Sequence, residues 1–268
     1  MKVALGQFAV QRQWQDNANT CIRLMHEATV AGARLLVLPE AVLARDNADA
    51  EWGINHAQPL NGPFVSQLLS ASESSSLTVV FTLHTPAEEG RVYNTLLVLR
   101  EGEVLAHYHK LHLYDAFSWQ ESKRVTPGEM LPPVIDIDGV KVGMMVCYDL
   151  RFPEMARMLA NKGADALVLP AAWVKGAHKE MHWELLNRAR ALENTCYLIA
   201  VGECGVKNIG NSMVVDPLGV VVAQATEEPA LLFADLSLER IQRVRRQLPV
   251  LNHSRFEPPV LRCKGNFG

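Results

Sequence analysis

Three polar residues stand where apolar runs end, and together they supply the parts of one reaction. "GMMVCYDLRFPE" places Cys147 between a buried-looking stretch and a charged turn. "LLVLPEAVL" sets Glu40 directly after an apolar run and a proline that stops it, and "HYHKLHLYD" puts Lys110 at the end of a strand-like stretch. A thiolate attacks a carbonyl carbon, while a nearby cation lowers the thiol pKa and stabilises the developing oxyanion. A carboxylate takes the thiol proton, gives it to the leaving nitrogen and then activates water to release the acyl group. Glu, Lys and Cys cover these tasks, and the scheme requires no metal or other cofactor. Singly, each has a bland explanation: a core thiol, a solvated or capping carboxylate, a loop lysine. The combination is what points to chemistry.

Positioning these groups requires strands that end together. The runs "KVALGQF", "ARLLVLPE", "LTVVFTLH", "YNTLLVLR", "KVGMMVCY", "ADALVLPA", "CYLIAVGE" and "NSMVVDP" are strand-like, several as near-continuous Val/Leu/Ile stretches suited to burial on both faces. Between them lie helix-period segments: "NANTCIRLMHEATVAG", "GPFVSQLLSASESS", "HKEMHWELLNRARALENT" and "LSLERIQRVRRQL". In the first, Ala18, Cys21, Ile22, Met25 and Ala28/Thr29 form one stripe, and Gly32 marks the stop. Alternating strands and helices predict an α/β architecture, in which sites form at the carboxyl ends of strands. Glu101–Gly102 and Asp138–Gly139 read as hairpin turns, so part of the pairing is expected to be antiparallel. No linker, repeat or low-complexity tract interrupts residues 1–268, which predicts a single domain.

Composition excludes several classes of function. Twenty-six Lys and Arg against 29 Asp and Glu give a formal net charge of -3, without the basic excess of a nucleic-acid binder. No apolar run is long enough to span a bilayer, and "MKVALGQFAV" reads as a first strand, not as a signal peptide. Cys21, Cys147, Cys196, Cys204 and Cys263 are odd in number and lack CxxC spacing. A disulfide framework or zinc cage is therefore not expected, and a reducing cytoplasm is. A metallohydrolase built on His107, His109, His112, His178 and His182 is the rival enzyme. "HKEMH", however, has Lys where the HExxH base would sit. A binding protein on a hydrolase fold is the rival from another class; its signature would be loss of one of the three groups, and all three are present.

The words "LVLPEAVL", "YHKLHLYD" and "GMMVCYDLRFPE" resemble the carbon–nitrogen hydrolases of the nitrilase superfamily, in that family's order. The likeness continues through "LVLPAAW", "HWELLNRARALENTCYLIAVGECG" and "GNSMVVDPLGVVVAQA", covering essentially the whole chain. It implies a four-layer αββα sandwich, with Glu40, Lys110 and Cys147 as the catalytic residues. It also implies association into homodimers through a helix face and the C-terminal segment. "KLHLYDAF", "QESKRV", "PAAWVKG" and "GECGVKNIG" look like the branch of bacterial deaminated-glutathione amidases, relatives of the ω-amidases. That resemblance implies a small-molecule amide substrate. It makes Glu121 a second carboxylate beside the lysine and assigns Arg151, Tyr148 and Trp173 to substrate binding, with Arg151 meeting a substrate carboxylate. The other reading of Arg151 is a structural partner of Asp149 or Glu154. Cys21 and Cys196 are expected in the core, Cys204 in the core or lining the site, and Arg188 and Arg190 on a solvated or interface helix face.

Overall fold

Side-chain alternation along the strands builds the layers. A computed structural model describes residues 1–262; Cys263 lies outside the described residues. In chain order the elements are β1 (Lys2–Gln7), α1 (Trp14–Val30), β2 (Leu35–Val37), α2 (Trp52–Asn55), α3 (Pro63–Ser72), β3 (Thr78–Pro86), β4 (Val92–Arg100) and β5 (Glu103–His109). A short hairpin follows, β6 (Asp115–Ala116) and β7 (Trp119–Gln120), then β8 (Val134–Ile137), β9 (Val140–Met144) and α4 (Pro153–Asn161). The chain continues as β10 (Ala166–Ala171), α5 (Lys179–Asn194), β11 (Tyr197–Gly202), β12 (Met213–Val215), β13 (Val221–Gln224), β14 (Ala230–Asp235) and α6 (Leu238–Gln247).

Two six-stranded sheets result, ordered β14-β1-β2-β3-β4-β5 and β13-β12-β11-β10-β9-β8. Each has a parallel centre, β1-β2-β3 in one and β9-β10-β11 in the other, with antiparallel strands outside it. Val3, Leu5, Leu35 and Val37 face the second sheet and share a core with Val142, Met144 and Val168. The intervening Ala4, Leu36 and Leu38 point the other way and pack with Cys21, Leu24, Phe64 and Leu68 of α1 and α3. Period-two burial thus puts apolar residues on both faces of the first sheet. Behind the second sheet lie Met155 and Leu159 of α4 and Trp183 and Ala191 of α5. The layers are helix, sheet, sheet, helix, as the resemblance implied.

All eight quoted strand runs contain strands, and the four quoted helical segments form α1, α3, α5 and α6. The stripe of α1 runs through Leu24 instead of Ile22, and Thr29 is exposed. Both hairpin turns form with paired positive φ values, 53° and 78° at Glu101–Gly102 and 52° and 82° at Asp138–Gly139, the signature of a tight I′ turn. Arg190 corrects an expectation: it is buried, its Nε donating to the Leu150 carbonyl and its Nη1 to Glu193. Arg188 stays on the surface with Glu184. No helix among the described residues is long and apolar enough to cross a membrane.

Candidate active site

The facing sheets bring three chain segments to one buried cluster. Glu40 lies three residues past β2, where its backbone N–H donates to the Ala171 carbonyl at the end of β10 (3.4 Å). Lys110 follows β5 directly, its N–H held by the Asn94 carbonyl of β4 (2.9 Å). Cys147 comes after β9 and opens a 3₁₀ turn through Arg151, with φ at 40°. A positive φ on a residue with a Cβ is a strained placement, held only where the surroundings over-determine it.

One carboxylate supplies much of that restraint. Asp149 is fully buried and accepts from the Val146 N–H just before the cysteine (2.9 Å), from the Tyr108 hydroxyl (3.1 Å) and from His112 Nδ1 (2.7 Å). Tyr108 in turn accepts the Leu111 N–H (2.9 Å). The cysteine turn and the lysine segment are therefore bound to the same side chain. His112, a candidate metal ligand by sequence, is instead stacked on Phe152 at 3.7 Å between ring centroids.

Charges in the pocket are matched around Lys110. Its Nζ donates to Glu40 Oε1 (3.1 Å) and to Glu121 Oε2 (2.9 Å) and Oε1 (3.2 Å). The Lys110 side chain is only 2% exposed. Burial alone would favour the neutral amine, but Glu121 and Glu40 outweigh it and hold the ammonium well above the usual lysine range. Glu40 also accepts from Asn94 Nδ2 (2.8 Å) and from the Ala172 N–H (2.8 Å), and lies in hydrogen-bond contact with the Cys147 thiol. Burial pushes its carboxyl up; Lys110 and these hydrogen bonds prevail and keep it below the ordinary glutamate value. For Cys147 the balance runs the other way. Burial and the Glu40 charge raise the thiol well above its usual range, against the pull of Lys110. The resting arrangement is thus carboxylate, ammonium and neutral thiol, with the carboxylate beside the thiol.

The residues assigned to substrate binding form the adjoining wall. Trp173 follows β10, is buried against Trp183 and donates its Nε1–H to the Lys179 carbonyl (3.0 Å). The Arg151 guanidinium carbon sits 4.9 Å from the Trp173 ring centre. Arg151 pairs with neither Asp149, which is filled by other donors, nor Glu154. Tyr148 meets Tyr114 edge to face at 5.1 Å. Glu121 reaches Lys110 through a loop it also closes, accepting the Tyr114 N–H (2.6 Å). Cys21 and Cys196 are buried, and Cys204 lies beside Glu203, its thiol pushed up to about 12 by burial and then by that charge.

Sequence reading gave no site role to Asn94, Asp149, Tyr114 or Lys179. Asn94 had a signal, a buried amide inside the apolar strand "YNTLLVLR". Asp149 had one too, a carboxylate two residues past the cysteine. Tyr114 and Lys179 had none, because only the fold brings them together.

Comparison with known proteins gives a concordant result. The family model described as "Carbon-nitrogen hydrolase" matches residues 2–246. The deaminated glutathione amidase of Escherichia coli O157:H7 is 52% identical over 97% of this chain and 100% of its own length. The mouse protein of the same name is 37% identical over 94% of this chain and 83% of its own. Among solved structures, Saccharomyces cerevisiae Nit3, a member of branch 10 of the nitrilase superfamily, superposes with a TM-score of 0.84 at 29% identity. It covers 96% of this chain and 97% of that one. A variant of the amidase from Nesterenkonia sp. AN1 that shows Michael addition of acrylamide at the active site cysteine gives 0.76 at 29% identity, over 93% and 98%.

Proposed function

The chain belongs to the carbon–nitrogen hydrolase family, and from that premise we propose that it hydrolyses the amide of deaminated glutathione. The substrate is N-(4-oxoglutaryl)-L-cysteinylglycine, and the products are 2-oxoglutarate and Cys-Gly. The substrate assignment rests on the 52% identity to the E. coli enzyme, and the mechanism rests on one observation: Glu40 touches both the Cys147 thiol and the Lys110 ammonium.

As Cys147 Sγ attacks the amide carbon, Glu40 takes the thiol proton. The thiol is not ionised in advance, so proton removal accompanies attack. Lys110 offers its charge to the carbonyl oxygen as that oxygen becomes negative. Collapse breaks the C–N bond, Glu40 delivers the proton to the leaving nitrogen, and Cys-Gly departs. Water then gives a proton to Glu40 while its oxygen attacks the thioester, freeing 2-oxoglutarate and restoring the thiol. Glu121 holds Lys110 in place through both halves, and Arg151, with Tyr148 and Trp173 beside it, receives a substrate carboxylate.

The catalytic unit is the whole chain, because Glu40 and Lys110 come from one sheet and Cys147 from the other. The enzyme works in the cytoplasm, where its thiol stays reduced. It works as a homodimer joined through the face of α5 that leaves Met181, Leu185 and Leu192 exposed beside Leu218.

Parallel kinetics on deaminated glutathione and 2-oxoglutaramate test the substrate. Higher kcat/KM on the former supports the proposal; preference for 2-oxoglutaramate makes the protein an ω-amidase. Cys147→Ala should abolish turnover while leaving a folded protein, and intact mass of wild type quenched during turnover should show an acyl adduct that the variant lacks. Near-normal turnover by Cys147→Ala would refute the mechanism.

A further inference from the structure

The pocket wall holds a second buried cation that no step above uses. Lys179, the first residue of α5, is 5% exposed, yet its Nζ makes a single hydrogen bond, to the Tyr114 hydroxyl (2.8 Å). Among the described residues no carboxylate lies within ion-pair distance of it. Its ammonium sits 3.8 Å from the centre of the Phe117 ring and 5.8 Å from that of Trp173. The Arg151 guanidinium stands over the same two rings, at 5.9 and 4.9 Å. Arg151 also lacks a carboxylate among the described residues: its buried Nε has no partner, and its Nη2 reaches only His182 Nδ1, at 3.5 Å.

Two cations thus share one aromatic enclosure with no counter-ion. Cation–π contact returns only part of what sequestering a charge from water without a partner costs. An apolar side chain at either position would leave the ligand-free protein better off. Burial and the neighbouring Arg151 charge do hold the Lys179 ammonium below the usual lysine range. The segment covering it is itself strained: Phe117 and Ser118 turn the β6–β7 hairpin with φ at 53° and 67°, unusual for residues other than glycine. Unmatched charge and strain in one place are what a site shows when its missing component is the ligand.

We propose that Lys179 is a specificity-determining residue that joins Arg151 in gripping a carboxylate of the amide substrate. This rests on the reading of the pocket as an amide-hydrolysing site, and it adds a residue and a substrate class to that reading. Arg151 stands nearer the buried Trp173 ring and Lys179 nearer the exposed Phe117 ring. The pair therefore forms a fork for an anion, the guanidinium fixing its orientation and the ammonium adding charge.

The test has a catalytic and a binding arm. Wild type, Lys179→Met and Lys179→Arg are assayed on 2-oxoglutaramate and its neutral methyl ester, and on deaminated glutathione with its glycine carboxylate free or amidated. In Lys179→Met the ratio of kcat/KM with the varied carboxylate free to that with it blocked should fall at least tenfold for one of the two pairs, mostly through KM, and Lys179→Arg should recover part of it. The pair that responds identifies the carboxylate, on the acyl half or on the leaving half. Proportional losses on the free and blocked forms of both would mean that Lys179 only supports Tyr114 or the hairpin, and would overturn the proposal. In the binding arm, 2-oxoglutarate and Cys-Gly at millimolar concentration are added to wild type and Lys179→Met, and the rise in melting temperature is read. At least one should stabilise wild type, with the rise at least halved in the variant; no rise in wild type, or equal rises in both, overturns the proposal. This arm needs no turnover, so failure of the Cys147 mechanism would leave it intact. Should Lys179→Met not fold, Lys179→Gln carries the same readouts.

Discussion

Two buried lysines line one pocket and are treated in opposite ways. Lys110 is enclosed by Glu40 and Glu121 and donates three hydrogen bonds to their oxygens at 2.9 to 3.2 Å. Lys179 has one phenol and two aromatic faces. The first keeps its charge whatever occupies the pocket, because its partners belong to the chain. The second keeps its charge at a cost until an anion arrives. On the proposed roles, the cation that acts in every cycle is matched internally, whereas the cation that discriminates between substrates is left unmatched. The distinction is one of counter-ion ownership, and it can be broken from either side.

Removing a counter-ion from Lys110 should have the largest effect. Glu40→Gln keeps the shape of the side chain but deletes the base, and loss of a general base costs about 10²- to 10⁴-fold. The loss should fall on acylation and deacylation alike, as single-turnover kinetics would show. Losses in Glu40→Gln and Lys110→Met should not add, because the two groups act as a unit. Ordinary acylation and deacylation rates in Glu40→Gln would remove the base assignment.

Glu121→Gln should cost less. It leaves Glu40 in place and removes a charge-assisted contact of about 1.5–3 kcal/mol, equivalent to about 10- to 150-fold in kcat. KM should change little if Glu121 holds Lys110 and not the substrate. A rise in KM with unchanged kcat would move Glu121 to the binding wall.

The opposite manipulation supplies Lys179 with the carboxylate it lacks. Phe117 is 65% exposed and its ring centre is 3.8 Å from the ammonium. Phe117→Glu should therefore place a carboxylate against both cations without burying a new charge deeply. The pair would be worth about 0.2–1 kcal/mol, as for other partly exposed ion pairs, raising the melting temperature slightly. It should also compete with an acidic substrate, raising KM for 2-oxoglutaramate above that for its methyl ester. Improved stability without that selective penalty would show that the two cations do not meet substrate.

Much of this molecule was readable from the sequence because its signals are local. A Val/Leu run with a polar residue at its end predicts a strand and a strand-end group whichever sheet the strand joins. Glu40, Lys110 and Cys147 could accordingly be named, Glu121 came only from the family resemblance, and the structure brings the four together. What could not be read depends on pairs remote in the chain. Asp149 matters because Tyr108 and His112 happen to reach it, 41 and 37 residues away. Lys179 matters because Arg151 and Phe117 share its enclosure and no acid does, and a missing partner leaves no mark on a sequence. Arg190 was misplaced for a similar reason: its helix position alone does not disclose that the Leu150 carbonyl waits beneath it.

The smallest expected effect concerns a neighbour of the matched lysine. His84 lies on β3, and burial, then the charge of Arg45, lowers its imidazole from 6.5 to about 4. Glu40 pulls in the other direction and does not prevail. The folded protein therefore keeps His84 neutral over a range where the unfolded chain protonates it. Between pH 6.5 and about 4 the unfolded state binds more protons, so stability falls as pH falls through this window and is flat above it on account of this group. Glu40 is displaced in the same direction, below its own unfolded value, and its contribution is lost only at more acid pH, below about 4.5. The two are thus separable by range. His84→Gln should flatten the stability profile between pH 6.5 and 4.5, read as urea midpoints at half-unit intervals, and leave the steep loss at lower pH in place. An unchanged slope in the upper window would mean that His84 titrates normally, and that the ring of internal compensation stops at Lys110 and its two carboxylates.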